Sequence, residues 1–333
     1  MNLSTPILVT GAFGFIGQRL LKRFAKNGVE AIAFDLPNAK PQFPLPAHIT
    51  HLTGDITNPN DVQRAVANAK SIIHLAAVVG DWGGAELHQR VTVDGTRLLF
   101  EAALASPHQL RVLLASSIVV YGHQIGLGST PESLPHGRPF GPYSRSKQAQ
   151  EKLAQRFATQ GLPITTLRLA NVYGAGSKLW VNELCRELKR GTPALLGGGN
   201  FNAGLVHVEN VVEMICAALS NNAAIGQTFN VADEAPLTWR EYTTELATLV
   251  NAPVPRSIPR WLAGLVAVGG EAIFGLLRQS RRPPLTREAL NLVGSAHHHP
   301  IDKAKELLGY ETAVSLEQGL QEVRDYLTNI RNY

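Results

Sequence analysis

The chain has 333 residues, enough for one large α/β domain with a smaller one appended. At 44% hydrophobic against 17% charged, its composition excludes a disordered chain. The formal charge of +5 is interleaved with acidic residues and forms no basic stripe with aromatics, which argues against a nucleic-acid partner.

In chain order, residues 6–10 read as a buried strand, 11–17 as a turn opening a helix through 24, and 31–35 as the next strand. The proline-rich stretch 36–46 reads as a loop, because proline blocks helix and central strand alike. A helix follows at 61–69, then apolar strands at 71–75, 111–116 and 164–169, separated by helices at 93–105 and 143–160. Nearly continuous apolar strands alternating with helices predict an α/β fold, a Rossmann-type doubly wound parallel sheet covered on both faces. Past 171 the rhythm loosens, with helices predicted at 181–190, 210–219, 238–250, 261–277 and 316–327 and a strand at 228–231. This divides the chain into a nucleotide-binding domain over 1–175, rejoined by about 204–232, and a smaller, mainly helical substrate lobe over 176–333. Cys185 and Cys216 lack CxxC or metal-ligand spacing and read as reduced structural thiols, which suits a cytoplasmic location. A strand begins within a few residues of the start, so no leader is expected.

Gly11, Gly14 and Gly17 recur at three-residue spacing between the first strand and its helix. Glycine serves there for a tight turn, close approach of a pyrophosphate and helix–strand packing, while the helix aims free N–H groups at the phosphates. Phe13, Phe15 and Ile16 complete the loop. Asp35 ends the next strand, where a carboxylate accepts from ribose hydroxyls and repels a 2′-phosphate. Leu36 and Pro37 follow it in place of an arginine, which argues for NAD rather than NADP. Asp55, followed by Ile56, is expected at the adenine amine. The run His74, Leu75, Ala76 and Ala77 ends a strand in small residues that let a cofactor ribose approach; His74 itself reads as a packed strand residue.

Tyr143 and Lys147 are spaced i, i+4, sharing one helix face about 6 Å apart along the axis. An ammonium beside a phenol favours the phenolate, so Tyr143 is expected below its free value near 10. Such a tyrosine can exchange a proton with an alcohol or ketone.

Together these segments resemble the extended short-chain dehydrogenase/reductase family, within the NAD-dependent epimerase/dehydratase superfamily. The matching elements are Thr10-Gly11-x-x-Gly14-x-x-Gly17, Gly54-Asp55, the run from His74 to Ala77, Ser116-Ser117, the Tyr143/Lys147 pair and the run from Arg168 to Gly174. Val206 to Asn210, and Ile301-Asp302 with Leu308-Gly309-Tyr310, extend the match toward the C-terminus. The resemblance implies that Tyr143 is the proton donor and acceptor, that Lys147 lowers its pKa and binds the nicotinamide ribose, and that Ser117 bonds the reacting oxygen. Ser116 is second choice, because Ser117 stands at the family's Ser-x-x-x-Tyr-Gly spacing before Tyr121-Gly122. Asn171 and Val172 fall at the cofactor by the same likeness, and Val79, Trp82, Ser117, Ile118 and Asn171 at the substrate. Thr92 departs from the usual asparagine, and its hydroxyl is expected to replace part of that amide's bond to the backbone. No metal is expected. Relatives often pair the helices corresponding to 101–105 and 151–157 across a two-fold axis, which implies a homodimer.

Within the family two substrate classes compete. Residues 76–83 form an apolar loop without the polar cluster a sugar needs. The segment 261–277, followed by Arg278, Arg281, Arg282 and Pro283 to Arg287, resembles the 3β-hydroxysteroid dehydrogenase branch. That branch implies a bulky apolar alcohol or ketone: a 3β-hydroxysteroid, a sterol, or a long-chain 3-hydroxy or 3-keto acid. The alternative is a nucleotide-sugar 4-epimerase or dehydratase, with Glu132, Asn171, Lys178, Asn182 and His207 in substrate-holding stretches. The stretch 199–207 lacks the arginine such enzymes set against a diphosphate. A non-catalytic NAD-binding sensor is a third reading, set back because Ser117, Tyr143 and Lys147 are all present. His297, His298 and His299 read as packed or solvated, since consecutive side chains diverge. Residues 261–277 are too short and glycine-broken to span a membrane. A pocket-lining helix is preferred there, with peripheral membrane contact through it and the following arginines as the alternative.

Overall fold

A computed structural model describes residues 3–191, 195–277, 279 and 281–329. Seven parallel strands form the central sheet, in the spatial order Thr228–Val231, Ile164–Leu169, Arg111–Ser117, Ser71–His74, Ile7–Thr10, Ala31–Asp35 and Ile49–Thr53. The order reverses beside Ile7–Thr10, the switch point where such sheets open a crevice at their carboxyl ends. Alternation along each strand builds two cores. Ile7 and Val9 pack with Leu20, Phe24 and Met214 on one face. Leu8 packs with Leu99, Phe100 and Phe157 on the other. A third cluster gathers Tyr173, Trp239 and Tyr242 with Val323 and Leu327.

The helix predicted over 93–105 opens with a π-helical stretch, His88–Asp94, before Gly95–Leu104. Strand Ile49–Thr53 was not predicted: as an edge strand it exposes Thr50 and His51 and shows no apolar run. Two seven-residue helices, Arg287–Val293 and Asp302–Leu308, were also missed.

Helix Arg260–Leu276 fits the pocket-lining reading only at Phe274, which packs against Trp82; most of its apolar surface faces outward. Only Ala263 and Ala267 are buried on it, while Trp261, Leu265 and Leu276 are 68%, 63% and 85% exposed. Arg278, from the same sequence argument, lies outside the described residues. Among the described residues no helix is long and apolar enough to cross a membrane, and no group of three acidic, histidine or cysteine side chains is placed to hold a metal ion.

His297 and His299 are buried and packed. His297 Nδ1 lies 2.9 Å from His299 Nε2, and His299 Nδ1 lies 2.6 Å from Thr130 Oγ1. Burial pushes His297 down to about 4 and His74 down to about 3, and His299 is lowered chiefly for the same reason. Below pH 6.5 the folded chain therefore binds fewer protons at these rings than the unfolded chain, and each ring removes up to about 1.4 kcal/mol of stability per pH unit. Glu288, raised to about 8, and Asp233, also raised, act with the opposite sign; burial is the main cause in both. With His88, also lowered chiefly by burial, four rings against two carboxyls leave a net loss. The urea midpoint is expected to fall as pH drops from about 6.5 to about 4.5. A flat midpoint across that window would contradict the assignment of these rings as neutral.

Candidate active site

The glycine loop leaves no room for side chains. Gly11 sits at φ +65°, and a Cβ there would lie 2.9 Å from Ala76 N; one on Gly17 would lie 2.5 Å from the Ala12 oxygen. Gly14 caps helix Phe15–Asn27, leaving its first N–H groups open toward a ligand. The Phe13 N–H donates to Asp35 Oδ2 at 2.8 Å and the Leu36 N–H to Oδ1 at 2.8 Å, fixing the carboxylate at the loop's edge. The Ala76 N–H donates to Thr10 Oγ1 at 3.3 Å, which holds residues 75–77 over the turn. Ile56 is buried beneath Gly95, and Asp55 Oδ1 closes its own turn by accepting from the Thr57 N–H at 2.8 Å. A backbone-walled cradle that a single Cβ would fill, opening on a helix N-terminus, fits a dinucleotide pyrophosphate.

Ser117 ends strand Arg111–Ser117, and its hydroxyl is near enough to the Tyr143 phenol to favour the ionised form. Ser116 points to the other side and donates to Glu151 Oε1 at 2.5 Å. Residues 7–232 match the NAD dependent epimerase/dehydratase family. The chain belongs to this family.

This family member is 28% identical over 329 residues to a 2-alkyl-3-oxoalkanoate reductase of Stenotrophomonas maltophilia, covering 96% of this chain and 98% of that one. It is 31% identical over 346 residues to a 3-beta-hydroxysteroid dehydrogenase of Mycolicibacterium neoaurum, covering 97% and 92%. Among solved structures, MoeE5 in complex with UDP-glucuronic acid and NAD superposes with a TM-score of 0.74 at 26% identity, covering 97% of this chain and 99% of that one. The protein is an NAD-dependent oxidoreductase of the epimerase/dehydratase family.

The acidity expected of the family member's Tyr143 is corrected. Burial raises it to about 12, the nearby Ser117 hydroxyl opposes the rise, and the charge of Glu288 adds to it. Lys147 directs its ammonium elsewhere, to the Ala115 oxygen at 2.7 Å and Gln150 Oε1 at 2.9 Å. Burial lowers Lys147 to about 7 against the pull of Glu151. Gln150 was not singled out from sequence, although its i, i+3 spacing from Lys147 puts both on one helix face. Its amide donates to Thr96 Oγ1 at 2.7 Å; Thr96 Oγ1 lies 2.9 Å from His74 Nε2, and His74 Nδ1 lies 2.7 Å from Thr10 Oγ1. His74, read as packed, thus links the lysine to the strand end under the glycine loop. Thr92 Oγ1 accepts from the Val78 N–H at 3.0 Å, a backbone bond of the kind expected of its hydroxyl.

The residues named for substrate separate. Ile118 is 1% exposed and lies in the core, so a side-chain contact with substrate is corrected. Asn171 is buried and donates to the Ala203 oxygen at 2.8 Å, and Val172 pairs with Val206 in a short parallel ladder. Val79 is exposed. Trp82 sets its ring edge against Phe274, with centroids 6.4 Å apart, and donates from Nε1 to the Gln279 oxygen at 3.3 Å.

Proposed function

We propose that this enzyme interconverts a secondary alcohol and a ketone on a bulky apolar substrate of the steroid, sterol or long-chain 3-hydroxy/3-keto acid type, held by the lobe over 176–333. The observation that carries the reading is the packing of Trp82, at the end of loop 76–83, against Phe274 of helix Arg260–Leu276, which sets two aromatic rings beside that loop. Loop 76–83 reaches the start of helix Pro142–Thr159, where a Cβ on Gly141 would lie 3.4 Å from the Asp81 oxygen. The names of the two relatives favour the same class. Side chains that the sugar reading needs are engaged in the fold. His207 Nε2 lies 2.7 Å from Glu322 Oε2, Asn182 accepts from the Tyr326 hydroxyl at 3.2 Å, and the Asn171 amide is taken by Ala203.

NAD, when bound, supplies the hydride acceptor or donor. Tyr143 passes its phenolic proton to the oxygen of a ketone, or receives one from an alcohol. Ser117 steadies the phenol and donates to the same oxygen. Lys147, on the same helix face, binds ribose hydroxyls. The test is absorbance at 340 nm with NAD and a panel of 3β-hydroxysteroids, long-chain 3-hydroxy acids and UDP-hexoses, with products identified by mass. NADH accumulating with an apolar alcohol is expected. A flat trace with an isomerised or dehydrated sugar would replace the proposal by the epimerase reading.

Three further parts belong to the proposal. The buried free thiols of Cys185 and Cys216 suit a reducing, cytoplasmic setting. Leu98, Ala102 and Leu153 on helices Gly95–Leu104 and Pro142–Thr159 are only partly buried, which suits a homodimer; a monomer mass in sedimentation would remove it. Helix Arg260–Leu276, with exposed Arg256, Arg260 and Arg281 around it, suits peripheral contact with an anionic membrane surface. Flotation with phosphatidylserine vesicles is expected, and Leu265→Glu together with Leu276→Glu is expected to abolish it. Equal flotation of wild type and double variant would exclude this face.

A further inference from the structure

The hydrogen bonds behind Lys147 have a direction that the donors and acceptors themselves fix. Thr96 Oγ1 gives its one hydrogen to the Thr92 oxygen at 2.5 Å. Its remaining two contacts, the Gln150 amide at 2.7 Å and His74 Nε2 at 2.9 Å, must therefore donate to it. His74, buried and neutral, carries its proton on Nε2, so Nδ1 accepts from the Thr10 hydroxyl at 2.7 Å. The same rule orients the Gln150 amide. With its nitrogen on Thr96, its oxygen faces Lys147 and accepts from Nζ at 2.9 Å. The second acceptor for Nζ, the Ala115 oxygen at 2.7 Å, lies on strand Arg111–Ser117. An ammonium has three donors, so these two bonds aim the head and leave one N–H for a ligand.

We infer that Gln150 is a positioning residue that holds the Lys147 head where it meets the nicotinamide ribose. It anchors that head, through Thr96 and His74, to the end of strand Ile7–Thr10 that carries the glycine loop. The inference rests on the proposed ribose-binding role of Lys147. A lysine stem has four rotatable bonds, and a single carbonyl partner leaves its head free to swing. A second acceptor on a different element removes that freedom before NAD arrives. Gln150 is 1% exposed, so an apolar side chain of similar size in its place would admit no water to substitute for the lost oxygen.

The test compares Kd for NAD and for ADP by calorimetry, without substrate. ADP reaches the glycine loop but has no nicotinamide ribose. In Gln150→Leu the Kd for NAD is expected to rise about tenfold, as for one lost hydrogen bond to a charged group, while that for ADP changes less than about twofold. Gln150→Met serves if the leucine variant does not fold. Gln150→Glu keeps an oxygen for Lys147 and is expected to restore most of the NAD affinity. An unchanged Kd for NAD in Gln150→Leu, NAD and ADP weakened alike, or no rescue by glutamate would overturn the inference. Lys147→Met is expected to show the same selective loss. If it binds NAD as wild type does, the ribose-binding reading itself fails and the inference falls with it.

Discussion

Tyr143→Phe is expected to lower kcat by about 10²- to 10⁴-fold, the range for removing a general acid or base, while leaving NAD affinity nearly unchanged. The phenyl ring fills the same volume, so its packing near His88, with centroids 6.2 Å apart, survives. What is lost is the hydroxyl and the proton it carries. The glycine loop and the Asp35 carboxylate lie on other elements and are untouched. Single-turnover kinetics beside a fluorescence titration with NAD separate the two effects. Turnover at the wild-type rate would take the proton-transfer role away from Tyr143, and NAD affinity lost in step with rate would point to a misfolded site.

The largest stability effect is expected at Glu151. This 3% exposed carboxylate accepts from Arg168 Nε at 3.1 Å and Nη2 at 2.9 Å, from the Ser116 hydroxyl, and lies 2.7 Å from His136 Nε2. The Arg168 guanidinium is buried over the Tyr121 ring, 4.8 Å from its centroid. Glu151→Ala leaves that cation uncompensated inside the protein, a change that costs about 3–5 kcal/mol. Removing both charges with Glu151→Gln and Arg168→Met is expected to recover much of the loss, because desolvation of the pair largely offsets its attraction. Urea midpoints at constant m report both variants. A single variant as stable as wild type would mean that water reaches Arg168. Despite burial, its partners hold the Glu151 carboxyl down to about 2, so its contribution is complete above about pH 4.5 and fades as pH falls from there toward 2.

Sequence rules reached the parts of this protein that are local. Gly11 and Gly17 declare a backbone cradle because nothing else fits, and the spacing to Tyr121-Gly122 singles out Ser117 from Ser116. The acidity of Tyr143 was not local. Its i, i+4 lysine is bonded to Ala115 and Gln150, and the burial that raises it, with a lesser part from Glu288, is set only by the tertiary fold. Helix Arg260–Leu276 shows the same limit, since its apolar residues fixed its existence but not which side meets the protein. Ile118 was expected at the substrate by family likeness, yet its side chain turns into the core. Glu288 carried no motif, and only the three-dimensional approach to Gly141 distinguishes it from any helix glutamate.

That approach also constrains how the sequence can drift. With a Cβ at 141 only 1.9 Å from Glu288 Oε2, any side chain gained at 141 displaces the carboxyl from the Ser144 N–H. A lineage can lose the glutamate first and then fill the space, but the reverse order passes through a form with a dislodged buried acid. Replacements at the two positions, far apart in the chain, are therefore expected to be non-additive, a side chain at 141 costing less once Glu288 is gone.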